Sequence, residues 1–240
     1  MSPVVSALSA RTRRNPGAPL VTFIDQGSGE RTELSATSLA NAAAKIANAL
    51  RDEYELEPGS RIALLLPVHW QLAAWLAGAW TAGMVVTTDS TADVDLVVTT
   101  AQAAAGLGRA AALVSLHPFG LPLVGATPAG THDVTLAVRQ QPDAYLFDTP
   151  PGSAPALLID AVEVSGQDVW DAAAGLARTW GLHASGRLLV TSEDLGRAEL
   201  LAALAVPLAA DAAVVLAPGA TELDSLRKSE GVTATCGARP

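Results

Sequence analysis

The sequence predicts an α/β protein of two pseudo-duplicated lobes, with mainly parallel sheets flanked by helices. Three observations predict it. Short continuous apolar runs, such as Ile62-Ala63-Leu64-Leu65-Leu66 and Leu188-Leu189-Val190, read as strands buried on both faces. They alternate with segments whose apolar residues recur at helical spacing. The order helix, turn, Arg-led strand, helix, strand then occurs twice along the chain. Short connections between such elements favour parallel strands joined by right-handed crossovers.

In the first block, Val21 to Asp25 reads as a strand. Gly27-Ser28-Gly29-Glu30 is a tight turn, and Thr32-Glu33-Leu34 a return strand. Ser35 is placed to cap a helix whose stripe is Leu39, Ala42, Ala43, Ile46, Ala47 and Leu50. After the turn Leu56-Glu57-Pro58-Gly59-Ser60 come the strand Arg61 to Leu66 and a helix from about His69 to Ala82. Met84 to Thr87 and Asp95 to Thr99 are further strands.

The second block begins at Ser165-Gly166-Gln167-Asp168, a capping-box-like start. Its helix carries Val169, Ala172, Ala173, Leu176, Ala177 and Trp180 on one stripe. A turn at Leu182 to Gly186 leads to the strand Arg187 to Thr191, a helix from about Asp194 to Leu208, and the strand Ala212 to Leu216. From Ser35 to Leu50 is 15 positions, as is Ser165 to Trp180. The sequence therefore divides into a flexible Ser/Arg/Pro-rich N-terminus (1–18), a first lobe (19–114), an extended connector (115–155) and a second lobe (156–240). Seven of the chain's prolines fall in the connector, where they oppose helix and ladder formation.

Composition restricts the function classes. Half of the 240 residues are apolar but only 4% aromatic, so the core must be built mostly from Ala, Leu and Val. The net charge of −9 argues against nucleic acid and anionic membrane as partners, since both require a cationic surface. Cys236 is the only cysteine, which excludes an internal disulfide and fits a reducing cytoplasm. Residues Ile62 to Thr88 contain no charge. Pro67, His69, Gln71 and Gly83 interrupt the run, so it reads as strand, helix and strand and not as a membrane span. Met1 to Arg14 lacks the apolar stretch of a signal peptide.

Site candidates are few. His69, His117, His132 and His183 are scattered without helical-spaced partners, which argues against a metal site. A pocket would open at the carboxyl ends of the strands, near Pro67, His69 and Thr191-Ser192-Glu193-Asp194, although caps and turns account for the same residues. Trp70, Trp75 and Trp80 are five apart and spread around their helix. At least one is therefore expected to reach a surface and mark a partner interface.

The first block, from Leu34-Ser35 through Ala47-Asn48-Ala49-Leu50, Leu56-Glu57-Pro58-Gly59-Ser60-Arg61 and Leu64-Leu65-Leu66-Pro67 to Ala82-Gly83, resembles the start of the adenylate-forming (AMP-binding, acyl-CoA synthetase-like) superfamily. The second block is similar to the family's next subdomain. Val114 to Gly120 and Pro128 to Asp133 resemble a short, uncharacterised actinobacterial family of truncated relatives. The resemblance implies the fold of the N-terminal domain of these enzymes. It also locates an expected difference. The family's chemistry uses a Gly/Ser/Thr-rich loop ending in Lys for the ATP phosphates, because such a loop frees several backbone N–H groups and adds a cation. Here Ala156 to Ile159 is followed by Asp160-Ala161-Val162-Glu163. A carboxylate about 5 Å from a phosphate charge opposes binding by roughly 3 kcal/mol at an effective dielectric near 20. Up to Pro240 no magnesium, ribose or lid motif is read. Asp211 stands where the resemblance implies Gly, and Asp also tolerates turn conformations.

The sequence thus predicts a non-catalytic remnant of an acyl-adenylate-forming enzyme, with no catalytic, cofactor-binding or metal residues assigned. It would act through a protein partner, a homo-oligomer, or an acyl or nucleotide-like small molecule. The alternatives are an acyl, acyl-CoA or adenylate binding protein with weak ligase-type chemistry, or half of a split adenylating enzyme.

Overall fold

The computed structural model describes residues 1–237. The chain runs α1 (Pro3–Arg14), β1 (Pro19–Asp25), β2 (Glu30–Ser35), α2 (Ala36–Asp52), β3 (Arg61–Leu65), α3 (Trp70–Ala82), β4 (Val85–Thr87), β5 (Leu96–Thr99), α4 (Ala101–Ala104) and β6 (Ala111–Leu113). It continues through β7 (Thr131–Asp133), α5 (Thr135–Gln140), β8 (Pro155–Ile159), β9 (Val162–Ser165), α6 (Gly166–Thr179) and β10 (Arg187–Val190). The last elements are α7 (Arg197–Ala202), α8 (Ala205–Ala209), β11 (Ala213–Leu216), α9 (Leu223–Glu230) and β12 (Ala234–Thr235).

The strands form a five-stranded sheet, β12-β10-β11-β1-β2, and a seven-stranded sheet, β7-β6-β5-β3-β4-β8-β9. All pairings are parallel except the hairpins β1–β2 and β8–β9. The two blocks match in detail. Ser35 Oγ accepts from the Ser38 amide and Ser165 Oγ from the Asp168 amide, each at 3.1 Å, so both helices start on the same cap. Arg61 pairs with Val85 as Arg187 pairs with Ala213.

The sheets do not follow a division of the sequence at 114 and 156. The β1–β2 hairpin joins the second block's sheet through β11, and β8–β9 joins the first block's sheet through β4. Each block thus completes the other's sheet, and one core cluster runs through both. Both hairpins enter through a proline followed by a register shift, at Pro19/Val21 and Pro155/Leu157. A proline cannot donate to a ladder and is accommodated at such irregularities.

Three further expectations are corrected. Residues 1–18 are not a mobile tail. Val4 and Leu8, one helical turn apart, bury into the core from α1. Arg11 and Arg14 reach Asp211 at 2.7 and 3.0 Å, where Asp211 holds φ +52 in the turn before β11. The Ser/Arg composition hid this helix because only two residues make its apolar stripe. The connector 115–155 is not uniformly extended. It contributes the edge strand β7 and the short helix α5, whose end α2 holds: Lys45 Nζ donates to the Arg139 and Gln141 carbonyls, and Asn48 Nδ2 to those of Pro142 and Ala144. The helix expected from Asp194 to Leu208 is two helices, broken where Leu204 takes φ −147, ψ −56.

Helix α3 lies between the sheets and buries every residue but Gln71. Trp70, Trp75 and Trp80 are all buried, so none marks a partner interface as the sequence suggested. A helix apolar all round belongs inside a core. It packs closest to α2 at Gly78, where a Cβ would lie 2.5 Å from Ile46 Cβ and 3.0 Å from the Ala43 carbonyl oxygen. Gly78→Ala gains about 1 kcal/mol of helix propensity but forces the helices apart, at a cost of about 3 kcal/mol. A net loss of about 2 kcal/mol is expected in urea unfolding. A stabilised variant would show that α2 and α3 separate freely.

Candidate functional site

The position at which the family resemblance implies a phosphate loop lies at the carboxyl end of β8. Val86 of β4 registers with Leu157 of β8, so the ends of these parallel strands open together. On the other side Leu157, Leu158 and Ile159 register antiparallel with Val164, Glu163 and Val162. Only Asp160 and Ala161 lie between Ile159 and Val162. Both have positive φ, +49 and +62, the signature of the mirror-image turn that closes tight hairpins. Ala at such a φ costs about 1 kcal/mol, which the ladder on both sides must offset.

This geometry restricts the chemistry of the turn. A phosphate cradle needs a run of amides free of other partners. Here at most two lie outside the ladder, and they belong to an exposed aspartate and an alanine. The second carboxylate does not face a ligand as sequence alone implied. Glu163 Oε1 sits 2.7 Å from Arg61 Nη2, and this contact raises the pKa of the Arg61 guanidinium. Asp160 remains without an ion pair among the described residues.

Beside the turn is a cleft of about 260 Å³. Val86 to Asp89 line it from the end of β4, Leu157 to Asp160 from β8, and Leu195, Gly196, Arg197 and Leu200 from the start of α7. Hydrogen bonds from Thr91 hold Asp89 below the usual carboxylate range. The cleft therefore presents two carboxylates against one guanidinium. Sequence reasoning did not single out Arg197 or the Arg61–Glu163 pair. The Arg at the head of each central strand was the available signal.

The residues the sequence placed at strand ends are taken up by structure. His69 caps α3, its Nδ1 accepting from the Gln71 amide at 3.2 Å, and its ring packs 4.2 Å from that of Phe23. Burial pushes its pKa down to about 4, so it stays neutral. Ser192 Oγ donates to the Asp194 carbonyl, and Thr191 O accepts from the Gly219 amide. Cys236 lies 3.9 Å from Glu199, and burial pushes its thiol up to about 12, far from a reactive thiolate. Among the described residues no three His, Cys, Asp or Glu side chains come together to hold a metal ion. None of the described helices is long and apolar enough to cross a membrane.

A family model described as AMP-binding enzyme matches residues 8–114. A TIGR03089 family protein of Mycobacterium tuberculosis is 43% identical over 216 residues, covering 87% of this chain and 86% of that one. Among solved structures, an acyl-CoA synthetase of Brucella canis superposes with a TM-score of 0.76 at 19% identity, over 96% of this chain and 46% of the synthetase. Acetoacetyl-CoA synthetase from Streptomyces lividans gives 0.78 at 16% identity, over 96% and 41%. The N-terminal domain of FACL13 from M. tuberculosis gives 0.72 at 17% identity, over 97% and 62%. At these identities the structures share the fold, that of the N-terminal domain of adenylate-forming enzymes. The chain spans less than half the length of the two synthetases.

Proposed function

The chain belongs to the TIGR03089 family, on an adenylate-forming scaffold, and from that premise we propose that it is a non-catalytic member that acts by binding. The observation that carries this reading is the two-residue turn Asp160-Ala161. A ligase that activates a carboxylate with ATP stabilises the transferring phosphates with cations and aligned amides. The turn supplies two amides and a carboxylate in their place. Arg197, across the cleft, is one cation facing Asp89 and Asp160. The reading extends to what the chain binds, a protein partner, a second copy or a small molecule, with ATP hydrolysis playing no part.

The test is ATP–pyrophosphate exchange with a panel of aliphatic and aromatic acids, run beside thermal unfolding in Mg-ATP. No exchange above the enzyme-free blank is expected, and no upward shift in Tm with nucleotide. Binding of ATP at about 100 times its Kd would stabilise the fold by roughly 2.7 kcal/mol, readily seen in such a scan. Exchange that depends on one acid would overturn the proposal.

A further inference from the structure

We infer that the cavity between α2, α3 and α5 is a binding site for a small aromatic-bodied anion, an inference that rests on the binding reading above and supplies its ligand class. The cavity holds about 350 Å³, within the range of small-molecule sites, and lies apart from the turn at Asp160. Its walls are fixed before any ligand arrives. Trp70 and Trp75 come from the buried helix α3, and Ala42 from α2. Lys45 and Asn48 pin the chain at the end of α5 to α2. A preformed site loses little freedom on binding.

Three observations set the ligand's chemistry. Two indole side chains line the cavity, and Phe119 stands at its rim while 82% exposed. Phe119 does not hang there by chance of a loose loop. The His117–Gly120 turn is closed by Gly120 N to His117 O at 2.8 Å, with His117 Nδ1 accepting the Phe119 amide at 3.1 Å. An aromatic body in the cavity would stack on these rings and cover the exposed one.

The second observation is charge. Lys45, also on the wall, has its three protons committed, to the two carbonyls and to Asp143 at 2.8 Å. Arg139 instead forms no ion pair among the described residues, and its Nη1 donates at 3.4 Å to the Gly120 carbonyl. In a chain of net charge −9, a guanidinium at an apolar mouth without a carboxylate fits a ligand's anionic head. The third is Trp70 Nε1, a buried donor without a partner in a residue that lines the cavity. Buried donors are rarely left unpaired. Each free polar group named here is a donor, and a ligand must bring the acceptors.

Isothermal titration with 2-naphthalenesulfonate tests the site, with uncharged 2-naphthol as comparison. Saturable 1:1 binding is expected, about tenfold weaker for 2-naphthol and for Arg139→Ala. Ala42→Trp, at the half-buried wall, should abolish it, and if that variant does not fold, Arg139→Glu on the exposed rim decides by the same loss. No saturation at millimolar ligand overturns the proposal. So does equal affinity for 2-naphthol, or binding indifferent to Arg139 and Ala42. None of these outcomes bears on pyrophosphate exchange, so the two readings fail separately.

Discussion

Replacing Trp80 with alanine should destabilise the protein by about 4 kcal/mol, against about 1.5 kcal/mol for phenylalanine. The indole is buried on α3, and its Nε1 donates to the Ala156 carbonyl at 2.9 Å. Ala156 is the residue skipped where the β8–β9 register shifts, so its carbonyl needs a partner from outside the ladder. Alanine removes both the ring volume and the donor. Phenylalanine keeps most of the volume and strands the carbonyl. The difference between the two variants in urea unfolding therefore separates packing from hydrogen bonding. If both cost the same, the carbonyl contact outweighs the cavity, and the account of how α3 holds the hairpin is wrong.

That contact is also where sequence and structure part. The local elements were legible because local chemistry specifies them. Ser35 and Ser165 precede apolar stripes at helical spacing, and the runs at Ile62 and Leu188 are too apolar to face water. The replacement of a phosphate loop could also be read, since five residues between Ile159 and Ser165, without a glycine or a lysine, leave no room for one; that they close a two-residue hairpin turn could not. Partner choice between distant strands was not legible. Val21 registers with Val214 and Val86 with Leu157, but a buried valine specifies a face, not a neighbour. The reciprocal exchange of hairpins follows from those pairings alone. The tryptophans misled for a related reason: spacing around one helix says nothing of how many sides the fold will cover.

The site divides in the same way. Loss of the loop is a local fact, and the sequence carried it. The compensation of Glu163 by Arg61 crosses from β9 to β3, and Arg197 reaches the cleft from α7. The cavity lined by Trp70 and Trp75 joins α2 and α3 to the turn at Phe119 and to α5. No motif marks it, because its walls are ordinary helix faces brought together by the fold.

Glu230 should be the most costly charge to remove. Its side chain is only 8% exposed, at the end of α9, with Arg31 of β2 at 3.0 Å and Arg187 of β10 at 3.2 Å. Counted from β12, β10 is the second strand of the sheet and β2 the fifth, so the carboxylate ties α9 to strands that do not touch each other. Glu230→Gln keeps the shape but leaves the Arg187 guanidinium, itself only 22% exposed, with Thr22 Oγ1 at 2.6 Å as its remaining partner. Breaking a fully buried pair costs 3–5 kcal/mol, and partial exposure of both arginines reduces the expected loss here to about 2 kcal/mol. Pairing with Arg31 holds the Glu230 carboxyl below the usual glutamate range. Its contribution is therefore complete above the unfolded-state value, near pH 4 to 5, and disappears as pH falls through the lower folded-state value. Urea unfolding of wild type and Glu230→Gln should differ most at neutral pH and converge in acid. A gap that stays constant with pH would mean that the side chain stabilises α9 by packing, and that the ion pairs contribute nothing.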